Sequence, residues 1–259
     1  MNVIYRTSAP PLTESPQARL RSAAALRGGP VIAPRQLVLV IGPTGAGKTD
    51  RSRAFTGVSG APIVVLDRVQ CHREVTVGSG RPEPDGTRRI FLADRAVSEG
   101  VMSGRAAYRS LVKLSAAPGL TVLEGGSLSL LTELAGRESW RRGAEVSVEY
   151  VRAGRDHADR VHARVDLMLR GERTMLDEVR ELWPDERTHT VLAGIVGYRE
   201  VLAAGDPDRG FRVTGDRLAR LVDEVAAAHL RYAALQTERI DALLPTIQGA
   251  GRTMNRVTA

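Results

Sequence analysis

Leu37-Val38-Leu39-Val40-Ile41-Gly42-Pro43-Thr44-Gly45-Ala46-Gly47-Lys48-Thr49 is the stretch from which the fold can be read. Five unbroken apolar residues read as a buried strand, and the eight that follow fit the phosphate-loop pattern G-x-x-x-x-G-K-[ST], with room for a helix beyond. The glycines let backbone N–H groups turn inward around an anion. Lys48 adds a point charge, the Thr49 hydroxyl can bind Mg²⁺, and the helix directs its positive end at the same place. The chain therefore grips a phosphorylated small molecule. From the loop alone, a user of ATP or GTP is the default.

Outward from the loop, Ile63–Leu66 reads as a second strand ending on Asp67, and Cys71–Thr87, with its Gly and Pro clusters, as a loop. Ser98–Ala116 has helical spacing, Leu120–Leu123 reads as a buried strand leading into Glu124-Gly125-Gly126-Ser127, and Val146–Val151 as another strand. Beyond it the pattern becomes helical over Asp156–Leu169, Thr174–Leu182, Thr188–Ala203 and Thr214–Leu235. The expected class is α/β: a parallel sheet carrying the phosphate loop and wrapped by helices, with a mostly helical C-terminal subdomain. The expected division is a mobile tail over 1–35, an α/β core over 36–155, a helical part over 156–245 completing the site, and a flexible tail over 246–259.

With 259 residues, 42% of them hydrophobic, the chain can bury one substantial core. It has no apolar run of the ~18 residues a membrane span needs, and no apolar N-terminal segment with a cleavage site, which argues against export. Cys71, the single cysteine, fits a reducing cytoplasm. The net charge is +7. Arginine supplies nearly all of the basic residues, Lys48 and Lys113 being the only lysines, and the arginines are scattered among acids. That is a solvated surface rather than a nucleic-acid groove, and anionic small substrates account for the surplus as well. His72, His157, His162, His189 and His229 lack zinc-ligand spacing and read as surface or core histidines. Trp140 and Trp183 read as anchors between sheet and helices.

In an open parallel sheet, ligands bind beyond the carboxyl ends of the strands. Three such ends carry polar groups here: Thr44, Asp67 and Glu124. A carboxylate at Asp67 can serve as a general base, or hold magnesium as in a nucleoside triphosphatase. Several strings occur in order: Leu66-Asp67-Arg68-Val69-Gln70-Cys71, Gly78-Ser79-Gly80-Arg81-Pro82, Thr87-Arg88-Arg89-Ile90, Leu123-Glu124-Gly125-Gly126-Ser127, Arg164-Val165-Asp166-Leu167-Met168, Leu182-Trp183 and Gly197-Tyr198-Arg199. Together they resemble the adenylate isopentenyltransferases of the bacterial cytokinin-synthesising type, from about Gln36 to about Glu238.

The resemblance implies that the loop holds the diphosphate of dimethylallyl diphosphate, without ATP cleavage, and that N6 of AMP (or of ADP or ATP) attacks C1 of the allylic chain. Asp67 matches the family's base. Thr44, Lys48 and Arg164 match the groups at the leaving diphosphate, cradled by Gly42, Gly45 and Gly47, with Thr49 binding Mg²⁺. Asp67, Ser79 and Gly126 fall on the AMP side. Members that prefer a hydroxylated donor carry an Asp before Gly-Tyr-Arg and a His on the last long helix. Here those prenyl-pocket positions are Val196 and Tyr232, which implies the plain dimethylallyl donor. The rivals are a transfer-RNA dimethylallyltransferase, a nucleotide or metabolite kinase, and a catalytically silent phosphate-loop protein. The first usually carries Ser after the strand-two Asp, where this chain has Arg68, and an inserted domain for which this chain looks too short.

Overall fold

The computed structural model describes residues 33–82, 85–249 and 254–258, the last as a backbone strand. The expected tail over 1–35 lies outside these residues up to position 32. The core begins at Arg35, one residue earlier than expected, because the Arg35 guanidinium donates to the carbonyls of Ser115 and Trp140, both at 2.6 Å.

Among the described residues six strands form one parallel sheet: β1 (Arg35–Ile41), β2 (Ile63–Leu66), β3 (Arg89–Phe91), β4 (Gly119–Gly125), β5 (Ala144–Arg152) and β6 (Met254–Thr258). Their order is β3-β2-β4-β1-β5-β6. β1 lies between β4 and β5, with Ile41 opposite Gly125 on one side and Tyr150 on the other. A strand paired on both edges and covered on both faces must be apolar throughout, which is why Leu37–Ile41 has no alternation. Leu37, Leu39 and Ile41 face one layer, formed by α2 (Gly104–Leu114), α3 (Leu128–Gly136) and the end of α8 (Gly215–Gln248). Val38 and Val40 face the other, with Phe55 of α1 (Lys48–Ser59).

Four shorter helices, α4 (His157–Arg170), α5 (Met175–Leu182), α6 (Glu186–Ala193) and α7 (Tyr198–Ala204), build a second apolar cluster with the first half of α8. This helical part is not separate: residues 34–259 cluster as one compact unit, and the 34-residue α8 packs against α3 of the sheet layer and α4 and α7 of the helical layer.

Several expectations are corrected. The helix expected over Thr188–Ala203 is two helices, broken where Gly197 adopts φ 89°. The segment expected as a flexible tail from 246 instead completes α8 to Gln248, and Met254–Thr258 then pairs with β5 along its free edge. The three-residue β3 was not foreseen, being too short for any periodicity to register. Trp140 is fully buried in the sheet-side core and donates its indole N–H to Leu134 O at 3.0 Å, whereas Trp183 belongs to the helical cluster, stacked on His189 at 3.8 Å. Among the described residues no helix is long and apolar enough to cross a membrane.

Leu39 is fully buried at the centre of the sheet. Leu39→Ala should lower the unfolding free energy by about 3 kcal/mol, read from urea denaturation midpoints at constant m.

Candidate active site

The carboxyl ends of β1, β2 and β4 converge where the chain leaves β1 between two neighbours, the crevice that open α/β sheets use for ligands. The loop after β1 is held tightly. Gly42 leaves no room for a Cβ, which would collide with the Val151 carbonyl of β5. Gly45 sits at φ 75° against Val161 and His157 of α4. An L side chain at either position would displace the cradle.

The polar groups of the loop are tied to distant elements. The Thr44 N–H donates to Gln236 Oε1 of α8 at 2.7 Å, and the Gln236 amide donates onward to Gly126 O at 2.8 Å. His157 Nε2 donates to Thr44 O at 2.8 Å. Lys48 folds back to donate to Pro43 O at 2.7 Å, and the Thr49 hydroxyl donates to Glu124 Oε1 at 3.0 Å. The other oxygen of Glu124 accepts from Arg89 at 3.3 Å. Thr49 and Glu124 place hard oxygen atoms at the foot of the loop, a donor type that fits Mg²⁺.

Asp67 Oδ1 accepts from the Val69 N–H at 2.8 Å and the Gln70 N–H at 3.4 Å, whereas among the described residues Oδ2 meets only the Gln70 amide, at 3.4 Å. Burial raises the Asp67 pKa, against the pull of these donors and of Lys48. Burial lowers Lys48 to about 8; Arg164 pushes the same way, Glu124 and Asp67 the other. Arg164 reaches across from α4 to donate to Gly80 O at 3.1 Å. Its side chain meets water at the rim, yet lost hydration still holds the guanidinium below its ordinary value.

Thr44, Gly45, Ser79, Arg164 and His229 line one cleft, with Val161, Val165 and Met168 as its apolar wall. The structure thus brings together the loop, Ser79 and Arg164, the first and last of them more than a hundred residues apart in sequence, and ties Gly126 to the same cluster through Gln236. Tyr232 lies near enough to Asp67 that, after burial, the carboxylate charge raises the phenol further. Val196 is half-buried in the turn before Gly197, outside the set that lines the cleft.

Three site residues escaped the sequence reading, and the first, His157, is corrected from a surface or core histidine to a support of the loop through Thr44 O. His229 and Gln236 fall on the buried stripe of α8 that runs through Val222, Ala226, Ala233, Ile240 and Leu244. A polar residue on an otherwise apolar stripe is the signal that was there to be used. His229 is therefore corrected from a surface or core histidine to a cleft residue, its buried Nε2 without a hydrogen-bond partner among the described residues. Burial, and then Arg164, lower its pKa to about 4.

A family model described as isopentenyl transferase matches residues 35–251. The chain belongs to that family. Members are prenyltransferases, and this chain is one. It is 36% identical to the adenylate dimethylallyltransferase of Ralstonia solanacearum over 79% of its own length and 93% of the relative's. With the adenylate dimethylallyltransferase of Agrobacterium tumefaciens (strain T37) the identity is 36% over 86% and 97%. Among solved structures, the tRNA isopentenylpyrophosphate transferase of Bacillus halodurans superposes with a TM-score of 0.63 at 18% identity, covering 86% of this chain and 90% of that one. A eukaryotic dimethylallyltransferase acting on tRNA gives 0.63 at 14%, covering 87% and 74%. At such identities the likeness is one of fold: the parallel sheet with its phosphate loop and surrounding helices.

Since Lys48 sits at about 8, a growing fraction of the protein loses this cation above that pH. The affinity for inorganic diphosphate, measured by calorimetry, should fall as pH rises through about 8. The Lys48→Met variant should bind more weakly at neutral pH and lack that limb.

Proposed function

We infer that this chain transfers the dimethylallyl group of dimethylallyl diphosphate to N6 of AMP, releasing diphosphate. The observation that carries it is the convergence of Thr44, Lys48, Asp67 and Arg164 on one crevice, in a chain 36% identical to adenylate dimethylallyltransferases over most of their length.

The adenine amine is a weak nucleophile, its lone pair shared with the ring. As N6 bonds to C1 of the allylic chain, the C1–O bond breaks, the electron pair leaves with diphosphate, and N6 must shed a proton. Asp67 is the base for that proton, and Oδ2 is its more available oxygen because Oδ1 already accepts two backbone N–H groups. Negative charge grows on the departing diphosphate, where Lys48, Arg164 and the loop N–H groups favour the transition state over the ground state. Thr49, backed by Glu124, would hold Mg²⁺, which when bound neutralises charge on the diphosphate. Ser79, across the cleft from Thr44, is suited to the phosphate of AMP. The plain dimethylallyl donor is preferred because, where members that take a hydroxylated donor carry an Asp, this chain has Val196, which offers a terminal hydroxyl no hydrogen bond and lies in the turn before Gly197 rather than in the cleft wall.

The test is product mass after incubation with Mg²⁺, dimethylallyl diphosphate and AMP, ADP, ATP, adenosine or unmodified transfer RNA. Prenylated AMP is expected; prenylated RNA, or phosphoryl transfer from ATP, would overturn the reading. Asp67→Asn should lower kcat by about 100-fold or more while leaving diphosphate affinity within a few-fold. A base must be deprotonated to act, and burial raises this carboxyl, so kcat/KM should decline with falling pH from a point above the ordinary carboxylate range near ~3.9. Chelation should abolish turnover and added Mg²⁺ restore it. In competition between plain and hydroxylated donors, the plain product should dominate.

A further inference from the structure

Glu178 of α5 is fully buried, and both its oxygens are engaged. Oε1 accepts from the Thr76 hydroxyl at 3.2 Å and the Val77 N–H at 2.8 Å; Oε2 accepts from the Gly78 N–H at 3.2 Å and from the Tyr198 hydroxyl. Four donors fill the lone pairs a carboxylate offers, and among the described residues no arginine or lysine lies within salt-bridge distance: Arg173 pairs with Glu181 and acts on Glu178 only as a more distant charge. The direct contacts of the carboxylate are thus all neutral donors, three of them from one turn a hundred residues upstream. Gly78 is pressed so closely onto the Tyr198 ring that a Cβ there would overlap it.

That turn, Thr76–Arg81, touches three candidate groups. It carries Ser79 into the cleft; its Gly80 carbonyl accepts from Arg164 at 3.1 Å; its Ser79 carbonyl accepts, at 3.4 Å, from the Gln70 amide that also meets Asp67 Oδ2. Internally the turn is closed by Gly80 N–H to Val77 O at 2.8 Å and Arg81 N–H to Thr76 O at 2.9 Å, so its position relative to the helices is set mainly by Glu178 and Tyr198.

We propose that Glu178, with Tyr198, is a positioning residue for the transfer reaction: its carboxylate captures the Val77 and Gly78 N–H groups and so sets Ser79 and the Gly80 support of Arg164. The inference rests on the adenylate-prenylating function proposed above. It goes beyond that reading by assigning a role to a residue that touches neither substrate. Loss of the carboxylate frees a turn rather than a reacting atom. The effect therefore falls on acceptor binding first and on the diphosphate clamp second.

The experiment uses Glu178→Gln, Tyr198→Phe and Thr76→Val in the full chain, with thermal unfolding recorded for each. With AMP and dimethylallyl diphosphate, Glu178→Gln should raise the KM for AMP at least ~10-fold, with kcat changed less and the donor KM rising ~3-fold. Tyr198→Phe and Thr76→Val, each losing a single donor, should shift the same parameters in the same order by smaller factors. Should Glu178→Gln fail to fold, these two carry the test. Unchanged KM values, or a fall in kcat that only tracks the folded fraction, would overturn the proposal. If the unaltered protein fails to prenylate AMP, the functional reading falls. The variants are then judged by calorimetric affinity for inorganic diphosphate: a weakening of about 3-fold supports the link through Gly80 to Arg164, and an unchanged value overturns it.

Discussion

Two cations facing one crevice is the constraint around which this molecule is arranged. Lys48 and Arg164 come from opposite sides of the site, and each holds the other's neighbourhood positive before any anion arrives. Dehydrated like charges destabilise a fold unless something answers them. Asp67 and Glu124 do so, at the ends of the two strands beside the loop, and each is itself tethered: Asp67 by the N–H groups of the next turn, Glu124 by Thr49 and Arg89. Placing carboxylates at the ends of β2 and β4 thus serves the charge balance of the resting protein as well as any chemistry. The carboxylates that balance these cations leave them facing the crevice, where they can meet a diphosphate.

The helical half supplies what the sheet cannot. A phosphate loop needs its N–H groups fixed in direction, but only part of that direction comes from the glycines. Gln236, buried on α8, bridges the Thr44 N–H and the Gly126 carbonyl, joining the ends of β1 and β4 through a side chain nearly two hundred residues away. His157 holds the Thr44 carbonyl from α4 in the same fashion. Breaking such a bridge strands buried polar groups, each costing about 1–3 kcal/mol. The loop's shape is therefore a tertiary property, which is why α4 and α8 form one unit with the sheet.

The residues differ instructively in how far sequence exposed them. Leu37–Thr49 was fully legible, because an unbroken apolar run and a phosphate loop each have a local physical signature. Asp67 was legible as a strand-end carboxylate, its position following from the sheet. Arg164 was not: on α4 it looks like any solvated arginine, and only the resemblance, and then the folded contact with Gly80, distinguishes it. Gln236 and Glu178 act through contacts between remote elements; for Gln236 and His229 the polar side chain on an apolar stripe of α8 marks the position but not what it faces. The α7 break is similar in origin, since helical periodicity carries across Gly197 while its backbone leaves the helix. Strand β6 went unread because an edge strand needs a partner more than a pattern.

Asp67 brings these strands of argument together. Burial raises its pKa while two backbone donors and Lys48 oppose the rise. In the proposed reaction the donor arrives first in electrostatic terms: its diphosphate draws on Lys48 and Arg164, the cations that otherwise stabilise the Asp67 carboxylate. With that support divided, the carboxylate becomes a stronger proton acceptor when a donor is present. N6 becomes acidic only as its bond to C1 forms, so a base strengthened by the donor is matched to that moment. The elevation that costs stability in the resting protein is, on this account, the one that drives proton transfer.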